Sequence, residues 1–330
     1  MTIKDKIFWW QSLPSMWQEI LLLNYFIEIK RLEKGQGRSI FLSEPMESYK
    51  RLYNTNFNYN SFDIDEELIN QIVKMDTLCC NGYPIKNLKP IYPLKLKRLA
   101  ICKTKINKLK KVKSFLELEE LDVDDCNIHN LKGIEQFKNL KVFFACSNPI
   151  TNLSPLSNLN NIETLWLTDC AIKDISPINK LKTLKRLNLS DNKIVDIKAL
   201  RGLFKLENIN IGNNRIYDLT PISKRKQITA LDIYGNKISN LSDLKELINL
   251  RALYANYNFI ANIDDLKHLK ELKYLHLSEN KIKDLDPIKN LNKLEALYCF
   301  QNLIESIKPL YNLTGLKSLN CHSNLIPKEE

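Results

Sequence analysis

The residues best equipped for chemistry in this chain are few. Glu120, Asp122, Asp124 and Asp125 form its densest acidic group, and carboxylates two residues apart on an extended strand share one face. Such a group could attract calcium, but the segment has neither the spacing of an EF-hand loop nor its central glycine, so no metal is assigned. The eight cysteines include no C-x-x-C pair, which removes the common zinc and redox signatures. Cys321 and His322 are neighbours, yet adjacent strand residues point to opposite faces, so they make no nucleophile–base pair. His129 and His268 stand apart from both. There is no phosphate-binding glycine loop, no H-E-x-x-H and no G-x-S-x-G. We therefore expect no catalytic residue, no cofactor and no enzyme activity. What remains is an aromatic set of Phe144, Trp166, Tyr234, Tyr254, Tyr257, Tyr274, His276, Tyr298, Phe300 and His322. Aromatics gathered on a rigid surface are the composition of a binding hot spot.

These residues are positioned by a repeat. In LKRLNLSDNKIVDIKALRGLFK, Leu184–Lys205, apolar residues fall at steps 1, 4 and 6, an asparagine at step 9, and apolar residues again at steps 11, 14, 17 and 20. This is the leucine-rich repeat pattern. From Leu96 to Leu316 it recurs every 22 residues, with one further opening at Met75, 21 residues before Leu96. One repeat cannot bury its own apolar ridge; stacked repeats bury a continuous one. The expected fold is an α/β leucine-rich repeat solenoid, a curved right-handed superhelix with parallel strands on its concave face. Pro155, Pro177, Pro221, Pro287 and Pro309 recur in the return half, where proline suits a first turn and disrupts a helix interior. The convex face is therefore expected to hold 3₁₀ or extended segments.

Residues 1–74 read as a helical cap and 75–330 as about twelve repeats of 21–22 residues. Ser15 with Gln18 suggests a capping box for a helix from about Met16 to Arg31, ended by Gly35 and Gly37. Residues 38–60 read as irregular. Asp63 with Glu66 suggests a second box, for a helix reaching about Lys74. Trp9, Trp10 and Trp17 are expected to cover the open end of the solenoid; the alternative is that they dock on a partner. After Ile326 the chain ends in PKEE, with no second cap.

Side chains at steps 3, 5, 7 and 8 should face the hollow. There the cations are Arg98, Lys103 and Arg186, against the anions Glu120, Asp122, Asp124, Asp125, Asp169, Asp191, Asp232 and Glu279. The whole chain carries a net +11, so its basic excess must lie on the flanks and back. A nucleic-acid site would need that excess focused into one stripe, and a solvated lysine coat is expected instead. Cys80, Cys299 and Cys321 fall at inward step 6, Cys126 and Cys170 replace the step-9 asparagine, and Cys79, Cys102 and Cys146 fall on the wall. Reduced thiols are expected, with Cys299 and Cys321 the one pair in adjacent repeats that could meet. No apolar run approaches the ~20 residues of a membrane span, and the N-terminus lacks the pattern of a secretory signal, so the expected location is the cytoplasm.

The segments NKIVDIKAL, CAIKDISPI and NKIKDLDPI resemble the 22-residue repeats of internalins and of the regulatory subunit of protein phosphatase 1. EELINQIVKMDTL followed by IKNLKPI is similar to the way an internalin cap runs into its first strand. The resemblance covers roughly residues 63–326. It implies a curved solenoid that binds another protein on its concave face; together with the residues above, the expectation is a bacterial, non-enzymatic scaffold that takes a protein or peptide at the ten aromatic positions and the acidic group. The alternatives are a regulatory or targeting subunit of an enzyme such as a phosphatase, and a nucleic-acid binder using the basic convex surface. Neither a nucleic acid nor a membrane is the expected partner. A monomer is expected, with the uncapped C-terminal end the surface left for contact.

Overall fold

Step 4 and step 6 side chains are inside and the step 3 and step 5 chains between them point out, so each repeat opens with a short strand. The computed structural model describes residues 1–33, 64–112, 114–327 and 329. The chain divides into two compact units, Met1–Pro149 and Ile150–Glu330.

Among the described residues of the first unit, three helices precede four strands. Helix α1 (Ile3–Ser12) was not expected; a Thr2–Asp5 capping box opens it. Helix α2 spans Ser15–Glu33. Ser15 lies inside that helix, and Gln18 donates to the Trp10 carbonyl at 3.0 Å, so the Ser15–Gln18 capping box is not formed. Helix α3 (Glu66–Val73) takes Asp65 as its N-cap, through the Leu68 amide at 2.8 Å. Asp63, Gly35, Gly37 and residues 38–60 lie outside the described residues. Strands β1 (Thr77–Cys79), β2 (Arg98–Ala100), β3 (Glu120–Asp122) and β4 (Val142–Phe144) pair in parallel in chain order.

The three tryptophans belong to the interior of this unit. Trp9, Trp10 and Trp17 are 8%, 5% and 3% exposed, and the Trp9 indole donates to the Pro90 carbonyl at 2.6 Å. Their burial sets aside the reading in which they dock on a partner. Edge strand β1 is closed by one side chain. Buried Asn24 accepts from the Cys79 amide at 2.8 Å and donates to the Cys79 carbonyl at 2.9 Å. It thus satisfies both backbone groups that a neighbouring strand would otherwise take.

The second unit holds β5 (Thr164–Trp166), β6 (Arg186–Asn188), β7 (Asn208–Asn210), β8 (Ala230–Asp232), β9 (Ala252–Tyr254), β10 (Tyr274–His276), β11 (Ala296–Tyr298) and β12 (Ser318–Asn320). They too pair in parallel and in order, with residues 22 apart in register. The return halves are 3₁₀ segments, several led by proline, such as Ser154–Asn158, Ser176–Lys180 and Thr220–Ile222. An Asp or Asn two residues before the segment's first free amide holds the turn, as Asp196 holds the Lys198 amide at 2.7 Å. Among the described residues no helix is long and apolar enough to cross a membrane.

The step-9 asparagines form a ladder that ties each turn to the next. The Asn214 amide donates to the carbonyls of Leu189, Ile211 and Gly212, and its oxygen accepts from the Ile194 amide. Where cysteine replaces asparagine, the thiol takes over a donor role: Cys126 donates to the Ile101 carbonyl at 3.0 Å. All eight cysteines are free. At the open end of the second unit the inward residue of β12, Leu319, stands 42% exposed, whereas Leu297 on β11 is fully buried.

Candidate functional site

One backbone feature reshapes the expected wall. Step 8 adopts a left-handed conformation in repeat after repeat: Lys103, Asp125, Ser147, Asp169, Asp191, Asn213, Tyr257, Glu279, Gln301 and Ser323 all have positive φ, as do Gly82 and Gly235. The chain leaves the strand by a sharp bend there, so Asp125, Tyr257 and Glu279 stand on the rim beyond the strands and not on the strand face. The recurrence of Asp, Asn, Ser and Gly at this step was the sequence signal for it.

In the first unit the expected acidic cluster is mostly consumed. Glu120 is paired with Arg98 at 3.2 Å. Asp122 is 1% exposed, contrary to the expectation that it faces the hollow. Burial first, then the charge of Asp124, pushes its carboxyl well above the usual carboxylate range. Asp124 is half-buried and accepts from the Cys146 amide at 2.6 Å; burial raises its pKa as well. Asp125 alone of the four is exposed. Cys79 and Cys102, expected on the wall, are also buried. Among the described residues no group of three or more His, Cys, Asp or Glu side chains is placed to hold a metal ion. Phe144, on β4, is half-buried.

In the second unit the aromatic residues do gather. Tyr254, His276 and Tyr298 are in register on β9, β10 and β11. Tyr274, on β10, shares a face with His276. Tyr254, Tyr274 and Tyr298 are 40%, 45% and 36% exposed, and Tyr257 on the adjoining rim is 55% exposed. The His276 ring lies 5.4 Å from Tyr298 and 6.1 Å from Phe300, and Phe300 stacks on His322 at 4.9 Å. Burial lowers the His276 pKa, so its ring is neutral at physiological pH. Trp166 is 41% exposed on β5, four strands from Tyr254. It is not part of this patch.

Tyr234 has a different role from the one expected. Its ring lies across Gly212 of the preceding repeat, and its hydroxyl donates to Asp191 at 3.2 Å, two repeats back. Asn213 donates to the same carboxylate at 2.7 Å. A side chain at position 212 would collide with the ring, so the glycine makes this conformation possible.

Sequence reasoning missed a second feature of the strand face. On β6, β7 and β8 the step-5 side chains Asn188, Asn210 and Asp232 accept from the step-7 amides of Ser190, Gly212 and Tyr234, at 3.0, 2.9 and 3.1 Å. On β9, β10 and β11 step 5 is Tyr254, His276 and Tyr298, and none of these side chains accepts from its step-7 amide. The aromatic patch therefore overlies the step-7 amides of Asn256, Ser278 and Phe300 without capping them. Beside them the Ser278 hydroxyl and His276 Nε2 are buried without a hydrogen-bond partner. Buried polar groups are normally paired, so this stretch has hydrogen-bonding capacity that the fold leaves unused.

A family model described as Leucine Rich repeats (2 copies) matches residues 138–180, 160–202 and 248–290. Among solved structures the chain is similar to an internalin of Listeria monocytogenes, at 23% identity and a TM-score of 0.75, covering 86% of this chain and 82% of that one. It is also similar to a leucine-rich repeat protein of Leptospira interrogans, at 26% identity and a TM-score of 0.66, covering 87% and 85%. Internalin C2 of Listeria monocytogenes matches at 28% identity and a TM-score of 0.53, covering 63% and 83%. No curated protein matches the chain.

Proposed function

We propose that this chain, a leucine-rich repeat protein with repeats like those of internalins, is a non-enzymatic scaffold that binds a protein or peptide segment on the strand face of β9–β11. The observation that carries the reading is the coincidence of exposed tyrosines with polar groups the fold does not satisfy. Tyr254, Tyr274 and Tyr298 supply rigid apolar area. The uncapped step-7 amides supply donors for the carbonyls of an extended segment, as exposed strand groups do in other peptide-binding surfaces. Parallel strands hold both sets in fixed register, so little ordering is needed on binding. The eight free thiols suit a reducing compartment, and the similar structures include bacterial leucine-rich repeat proteins; the reading therefore extends to the bacterial cytoplasm.

The test is selection of binders from a displayed peptide library on the whole protein. Truncating an anchoring residue typically costs ~2 kcal/mol or more, so Tyr254→Ala, Tyr274→Ala and Tyr298→Ala should each weaken a selected peptide about thirtyfold. Selected peptides whose affinity is indifferent to all three substitutions would place the site elsewhere.

A further inference from the structure

Step 20 of the repeat is a core position. In the second unit it is Leu159, Leu181, Leu203, Leu247, Leu269, Leu291 and Leu313, each at most 4% exposed. In one repeat it is Arg225. That arginine is 8% exposed, and its Nε is buried without a hydrogen-bond partner. Its guanidinium carbon stands 4.3 Å from the centre of the Phe204 ring, and Phe204 is itself 68% exposed. An arginine in a leucine slot, with a polar atom left unsatisfied, costs stability that the fold does not require. Departures of this kind concentrate at functional sites.

The surroundings have one sign. Arg225 lies in the third of four adjacent return turns, NKLKT (179–183), RGLFK (201–205), SKRKQ (223–227) and KELIN (245–249). These turns hold eight cations and one anion, Glu246. They are laced together side by side: Lys182 donates to the Gly202 carbonyl, Gln227 to the Phe204 carbonyl and Asn249 to the Lys226 carbonyl. Lys182, Lys205, Lys224, Lys226 and Lys245 are exposed, and none of them makes an ion pair among the described residues. Arg201, also in these turns, lies toward Asp196 and Asp218, whose carboxyls are held below the usual range by hydrogen bonds from Lys198 and Thr220 first and by the Arg201 charge after them. Several lysines elsewhere in the unit are paired with acids, as Lys293 is with Glu271 and Lys317 with Glu295. Stacking thus gathers eight of the unit's cations, with one anion, on four neighbouring turns.

We propose that this patch is a second binding site, for single-stranded nucleic acid. The lysines contact the phosphates, and a base stacks on the face of Phe204 that Arg225 leaves open. A single strand is favoured over a duplex because the aromatic platform needs an unstacked base, and cations interleaved with an aromatic ring are how such strands are held. A membrane surface is the weaker fit. The exposed apolar groups on these turns are Phe204 and Ile248, too little area for stable interfacial anchoring. The site lies on the return turns and is independent of the strand-face site.

The experiment is fluorescence anisotropy of a labelled oligouridylate of about a dozen nucleotides, with the full chain, over a series of salt concentrations. With about four phosphates neutralised, the logarithm of affinity should fall with the logarithm of salt at a slope of about −3. Lys224→Glu combined with Lys226→Glu should reduce affinity at least about tenfold, and Phe204→Ala several-fold. Arg225→Leu restores the repeat's own residue, so it should weaken binding while melting no earlier than the parent. Tyr274→Ala should leave oligonucleotide binding unchanged. No binding at low salt, or binding that survives the charge reversal, would overturn the proposal. So would equal or tighter binding to phosphatidylserine vesicles lost in the same variants, or a duplex of equal length binding as tightly as the single strand.

Discussion

Replacing Asn214 by alanine should remove one rung of the asparagine ladder, and the structure allows the cost to be worked out bond by bond. The Ile194 amide has the Asn214 oxygen as its acceptor, at 2.9 Å. Without it a buried donor is orphaned, at ~1–3 kcal/mol. The three carbonyls that Asn214 serves fare better. The Leu189 carbonyl keeps the Asn192 amide, the Ile211 carbonyl keeps Asn236, and the Gly212 carbonyl keeps the backbone amide of Asp191. Each loses one of two partners, at roughly 0.5 kcal/mol apiece. The expected loss is therefore about 2.5–4.5 kcal/mol, with the largest single share at one amide over most of that range. Urea denaturation should show it as a lower midpoint, and native-state hydrogen exchange should show the Ile194 amide losing protection before its neighbours. Asn214→Cys should fall between alanine and the parent, because a thiol at this step can donate, as Cys126 does to the Ile101 carbonyl. An alanine variant within about 0.5 kcal/mol of the parent, with the Ile194 amide still protected, would refute the bond-by-bond reasoning.

Four further outcomes follow from the same geometry. Leu253→Ala and Leu275→Ala, both buried at step 4, should each cost about 2–5 kcal/mol, whereas Tyr254→Ala and Tyr274→Ala should leave the melting temperature nearly unchanged; early melting of the tyrosine variants would reverse the assignment of faces. Burial, with Asp191 nearby, raises the Asp232 pKa from 3.8 to about 6. The folded state therefore binds the extra proton between these values and loses stability as pH rises through them. Asp232→Asn, which keeps the acceptor for the Tyr234 amide, should accordingly melt higher than the parent above pH of about 6 and lose that advantage below about 4. Gly212→Ala should displace the Tyr234 ring and break its bond to Asp191, seen as increased accessibility of that tyrosine to nitration. Asn24→Ala should leave the Cys79 amide and carbonyl unpaired at a buried edge, costing roughly 2–4 kcal/mol, measured by thermal unfolding.

The 22-residue period determined the strands, the inward leucines, the asparagine ladder and the 3₁₀ returns, because each depends on a local rule: alternation along a strand, proline at a first turn, an amide at a strand's end. The same rules placed Tyr254, Tyr274 and Tyr298 on the outward face. Local signals also existed for what was missed nearby, in the Thr2–Asp5 box of α1, in Asp65, and in the small and acidic residues at step 8. The remaining features have no local signal, because they are set by neighbours about 22 or 43 residues away and by burial. Asp122 carries the sequence spacing of an exposed acid, yet is buried, with its pKa raised by that burial. Tyr234 lies flat because position 212 has no side chain and Asp191 lies within reach of its hydroxyl. Four ordinary-looking turns become one basic surface around Arg225 and Phe204 only when stacked side by side. A repeat prescribes what each residue does within its own turn; which side chains meet across turns, and which lose water there, is decided by packing.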